Sequence, residues 1–109
     1  MTAPVTTDLI ITELRVLPTQ ERLLGLYELG IGGCRSGDGE QVRAVLLELI
    51  GSLDFTYADI AEAFHQLYSY CLEQCGQDAL NPVSFVLADL RATLLRAADE
   101  TGIGQAASA

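Results

Sequence analysis

Apolar positions recur at three- and four-residue steps along most of this chain, the spacing of helices that each bury one face. The first such run starts near Pro18 and extends to about Gly33, with Leu23, Leu26, Tyr27, Gly30, Ile31 and Cys34 on one stripe. Glycine inside a helix costs up to about 1 kcal/mol relative to alanine, so Gly32 and Gly33 are expected to end this helix. Gly30 lies on the stripe itself, where a missing side chain lets a neighbouring helix approach closely. The segment Ser36 to Gly39 is a turn by composition. A second helix is predicted from about Glu40 to Ser52, with Val42, Val45, Leu46, Leu49, Ile50 and Leu53 inward. A third begins after Thr56, where Asp59 stands in a capping-box-like position, and runs to Cys75, with Gly76 just past its end. Ile60, Phe64, Leu67, Cys71 and Cys75 form its stripe, widened by Tyr57, Ala61, Tyr68 and Leu72. The fourth opens on Asn81 as cap and Pro82 at the first helical position. It carries Val83, Val86, Leu87, Leu90, Leu94, Ala97 and Ala98 inward.

The run Asp8 to Arg15 fits either a short helix capped by Thr7 or an extended arm. Residues 1–15 therefore read as a flexible arm or short helix, 16–100 as a helical bundle and 101–109 as a disordered tail. No strand alternation competes. Short connections between amphipathic helices place sequential neighbours side by side. The expected fold is all-α, an antiparallel up-down four-helix bundle with a short N-terminal arm or helix.

Composition narrows the function. At 109 residues the chain has the length of one domain. Charged residues make up 19%, below the usual share of about a quarter, so some apolar surface is expected to stay open or meet a partner. The net charge is −9, and all the basic residues are arginine. Such a chain is repelled by phosphate backbones and anionic lipid, which disfavours nucleic-acid and membrane partners. The charges look scattered, as on a solvated surface. Three cysteines without a secretory leader argue against a disulfide framework. The longest apolar run falls short of the roughly 20 residues that span a bilayer. A cytoplasmic location follows as the expectation.

Candidate chemistry is thin. Cys71 and Cys75 stand one helical turn apart, but His65 lies well round the same helix and a structural zinc needs four converging ligands. Buried cysteine is common without any metal. Glu62 and His65 have the spacing of half a diiron motif, and the single histidine of the chain excludes the other half. No nucleophile stands by a base, and the glycines around Gly32 follow a helix, whereas phosphate-binding glycines follow a strand. The expectation is a protein that is not an enzyme, with no cofactor and no metal.

The apolar residues off the core stripes carry more. Phe85 lies nearly opposite Val83 and Leu87 at about 100° per residue, and Ala88, Ala92 and Leu95 share its side. Leu47 and Leu29 are similarly displaced on their helices. Such a strip suits a partner helix, the N-terminal arm or a second copy of the chain. Tyr68 is expected at the core edge with its hydroxyl in water, and Tyr70 further out. The predicted partner-binding residues are Leu47, Ile50, Tyr68, Phe85 and Leu95, with Leu9 to Leu14 as a lid.

Several segments, in order, resemble the flagellin export chaperones, the FliS family. They are Pro18 with Leu23-Leu24 and Leu26-Tyr27, then Leu49-Ile50-Gly51-Ser52-Leu53-Asp54, then Ile60-Ala61 with Leu67-Tyr68-Ser69-Tyr70, and last Leu90-Arg91. Val16-Leu17-Pro18-Thr19 stands where the family has a Thr-Ala-Ser-Pro box. The resemblance implies a cytoplasmic helical bundle that escorts an unfolded client of the flagellum or of protein secretion. That client would be a flagellin C-terminus or a related secreted segment, becoming helical when bound. A self-associating helical adaptor, such as a homodimer, is the competing expectation.

Overall fold

Caps and close glycine contacts divide this chain. In the computed structural model, which describes residues 3–100, the α-helices are α1 Ala3–Leu14, α2 Thr19–Ser36, α3 Gly39–Gly51, α4 Ala58–Gly76 and α5 Leu80–Glu100. A 3₁₀ turn, Phe55–Tyr57, precedes α4. No strand occurs among the described residues. The tail expected over 101–109 lies outside them.

The glycines correct one boundary. α2 continues through Gly32 and Gly33 and stops at Ser36, where Gly37 takes a left-handed conformation with φ 72°. The Asp38 amide then donates to the Gly33 carbonyl at 2.8 Å, closing the helix end. Gly33 serves packing instead. A Cβ there would stand 2.9 Å from Val42 Cγ2 and 3.3 Å from the Asp38 carbonyl. Gly30 has the expected role, since a Cβ would stand 2.7 Å from Leu87 Cδ1 and 3.3 Å from Val45 Cγ1. This one position lets α2 approach α3 and α5 together.

Caps shift the other ends slightly. Asp38 caps α3, its carboxylate accepting from the Gln41 amide at 3.1 Å. Asp54, and not Thr56, organises the entry to α4 by accepting from the Thr56 amide at 3.0 Å. Gly76 is the last residue of α4, and Asp78 takes the left-handed position beyond it with φ 60°. Helix α5 begins at Leu80, so Asn81 lies inside its first turn. Pro82 remains in that turn, where a missing amide hydrogen costs nothing.

Helix α2 packs on α3 and α5, α3 on α4, and α4 on α5, an adjacency compatible with a four-helix bundle. The N-terminal segment is a helix that lies across α2 and α3. Thr7, read as its possible cap, sits well inside α1 and is buried. The core is built from Leu26, Val42, Val45, Leu46, Leu49, Cys71, Val83 and Leu87, all withdrawn from solvent.

Helix α4 is rotated from the predicted stripe. Ala61, Tyr68 and Cys75, at seven-residue steps, face inward. Ile60, expected inside, is 61% exposed, and Tyr57 is 64% exposed. The line Ile60–Leu67 therefore falls at the edge of the packed arc. On α5, Ala97 is exposed and not buried. On α2, Leu29 is half-buried against the core and not displaced outward. The side chain of Ala98 lies outside the described residues.

Candidate partner-binding faces

Helix α5 presents its outer side to solvent because Val83 and Leu87 turn the opposite side into the core. Phe85 is 77% exposed and Leu95 40% exposed. Ala88 and Ala92 lie between them, so the strip runs large, small, small, large. Phe85, Val86, Ala88, Asp89 and Ala92 line an open depression. A second depression, between α2 and α5, adjoins it at Ala88 and reaches Ile31 and Gly32. Its rim carries Arg91, whose Nε and Nη2 donate to Glu28 Oε2 at 3.1 and 3.0 Å.

Leu47 belongs to another face. It is 49% exposed and lines a depression with Ile11, Thr12, Arg15, Ala44 and Glu48, where α1 crosses α3. Here α1 buries Ile11 and rests Leu14 against Gly25. A Cβ at Gly25 would stand 2.6 Å from Leu14 Cδ2. Arg15 donates to both oxygens of Glu48, from Nε at 2.9 Å and Nη2 at 2.8 Å. That fork holds the Glu48 carboxyl below the usual carboxylate range. At the other end, Thr7 Oγ1 stands 3.5 Å from Gln41 Oε1, and Gln41 Nε2 donates to the Leu29 carbonyl at 2.9 Å. Gln41 thus ties α1, α2 and α3 together, a junction that periodicity does not reveal.

The five predicted binding residues therefore do not share one groove. Phe85 and Leu95 lie along α5, Leu47 borders α1, and Ile50 is half-buried against the core. Tyr68 is a correction. It is 2% exposed, and its hydroxyl meets that of Tyr27 at 2.9 Å instead of water. Two phenols that satisfy each other can be buried together at little cost. Burial pushes both above the ordinary tyrosine range. Phe64 stacks on Tyr68 with ring centroids 5.8 Å apart. Tyr70 is 44% exposed, on the outer side as expected. The lid expected from Leu9 to Leu14 covers the α2 and α3 side, not the α5 strip.

The thiols and the histidine lie apart in function from these faces, each with its own packing partner. Cys34, Cys71 and Cys75 are free. Cys75 Sγ donates to the Gly39 carbonyl at 3.3 Å. Burial pushes the Cys71 thiol up to about 11, which keeps it protonated and inert. His65 lies edge-on to Phe55 with centroids 6.5 Å apart. Among the described residues no group of three or more His, Cys, Asp or Glu could hold a metal ion. No described helix is long and apolar enough to cross a membrane.

Compared with known proteins, the chain matches no family model, and no curated protein or solved structure matches it significantly.

Proposed function

We propose that this chain is a cytoplasmic partner-binding protein of the export-chaperone type. Its α5 strip would receive an amphipathic segment of a client that is disordered alone and helical when bound. The observation that carries this reading is Phe85, 77% exposed at the end of a contiguous apolar strip that α1 does not cover. A client helix would set its own large residues over Ala88 and Ala92 and bury Phe85 and Leu95. Ordering the client offsets part of that gain, so such complexes can be released. The ordered segments that resemble flagellin export chaperones support the same reading, with a flagellin-like or other secreted segment as client. The short connections between α2, α3, α4 and α5 support an antiparallel up-down arrangement.

The alternative is a self-associating adaptor with the strip as homodimer seam. The order large, small, small, large is symmetric and favours it. Charge opposes it. Antiparallel pairing about the strip's middle would bring Asp89 beside the second copy's Asp89 and Arg91 beside its Arg91.

The test is to capture the partner from the source cell and titrate its disordered terminus against the pure protein. Phe85→Asp is expected to weaken binding about tenfold or more, as removal of a large aromatic anchor does, with an unchanged melting transition. Unchanged affinity would remove the strip from the binding site.

A further inference from the structure

Between Arg43 and Arg91 the chain contains no Lys or Arg. This acid-only span includes the 3₁₀ turn and all of α4, and it holds several of the exposed large apolar side chains. On α4 they are ordered. Ile60, Ala63, Leu67 and Tyr70 follow one another at steps of three, four and three, the alternation of a coiled-coil seam. Ile60 is 61% and Tyr70 44% exposed, Ala63 is exposed and Leu67 half-buried. The seam is open because α4 turns the Ala61–Tyr68–Cys75 line into the core.

The flank of this seam fixes the charge of its occupant. The positions just before its first apolar residue and one and two heptads on are Asp59, Gln66 and Glu73, all exposed. Glu62 lies on the same outer side and accepts from Gln66 Nε2 at 3.4 Å. The other flank, Phe64 and Cys71, faces inward and offers no charge. In coiled coils such flanking positions select the partner by complementary charge. A second copy of this chain, paired antiparallel about the seam's middle, would bring its Glu73 against Asp59. That juxtaposition rejects self-pairing.

We propose that the outer edge of α4 docks a basic helix of another protein, with aliphatic residues at heptad spacing and Lys or Arg beside them. This surface is separate from the α5 strip and does not depend on the client reading.

The test uses two synthetic helical peptides of equal length with leucine at the heptad positions. One carries Lys and the other Glu at the flanking positions. Each is titrated by fluorescence anisotropy at low and at physiological salt. The Lys peptide is expected to bind the wild-type chain and the Glu peptide not to bind. Ile60→Asp should weaken the Lys peptide about tenfold, the scale of one lost buried anchor. The double variant Asp59→Lys with Glu73→Lys should transfer preference to the Glu peptide. Phe85→Asp should change neither, which separates this surface from the α5 strip. Circular dichroism melts of each variant check that the fold is kept, as expected for exposed positions. If the Lys peptide binds Ile60→Asp as well as wild type, the attraction is only that of a −9 chain for any cation, and the seam is not a site. Equal binding of the two peptides overturns it as well.

Discussion

Gly30 and Gly32 stand two residues apart on α2 and should answer the same substitution with opposite signs. At Gly30 a methyl would press on Leu87 and Val45, both fully buried among close-packed neighbours. Overpacking of this kind costs about 1–3 kcal/mol, more than the roughly 1 kcal/mol that alanine gains in helix propensity. Gly30→Ala is therefore expected to lower stability. At Gly32 the nearest atom to an added Cβ would be Gln41 Nε2 at 4.0 Å. Gly32→Ala should raise stability by up to about 1 kcal/mol. Urea unfolding with an unchanged slope reads both. Tyr27→Phe should cost about 1–3 kcal/mol by leaving the Tyr68 hydroxyl buried without its partner, while the double Phe variant should cost less than the sum of the two single changes. At this scale the sequence was legible where size alone decides, as at Gly30. The tyrosine pair was not, because it depends on two residues far apart in the chain meeting across the core.

At the scale of the element, α1 lies across α2 and α3 outside the four-helix adjacency. Among the described side chains its anchors include Ile11, Leu14 on Gly25, the Thr7 contact with Gln41 and the Arg15–Glu48 fork. Glu48 is held ionised below its ordinary range by Arg15. The fork therefore contributes fully above the pKa of an unfolded glutamate and is lost as pH falls through the lower folded value. Arg15 is largely exposed, so the contribution is a few tenths of a kcal/mol up to about 1 kcal/mol. The protection factors of the α1 amides, taken against the intrinsic exchange rate at each pH, should fall in acid before those of the rest of the molecule, and Glu48→Gln should lower them already at neutral pH. At the end of α4, Asp78 takes a left-handed conformation that glycine adopts freely. Asp78→Gly should raise the melting temperature, relieving up to about 1 kcal/mol. Helix order and most helix spans were readable from periodicity and caps. The rotation of α4 was not, since Ile60–Leu67 and Ala61–Tyr68 are adjacent lines on one helix. Which of them turns inward is decided by the neighbouring helices.

Across the whole molecule, the helices close a core and still leave apolar residues on two outer lines of different charge. The α5 strip stands among Asp89, Arg91 and Arg96, and the α4 seam is flanked by Asp59, Glu62 and Glu73. Periodicity showed that apolar residues were left over, but their placement on separate faces is set by helix adjacency, which the sequence does not encode locally. A chain of net charge −9 gains little from meeting itself. Sedimentation is therefore expected to show a monomer across the micromolar range. The most direct test of the account is the thiol-labelling rate of Phe85→Cys in the folded, isolated chain carrying Cys34→Ser. If the α5 strip is open to partners, that thiol reacts nearly as fast as in the urea-unfolded chain at every protein concentration. Strong protection in the isolated folded chain would mean that the strip is already covered, and would contradict the account.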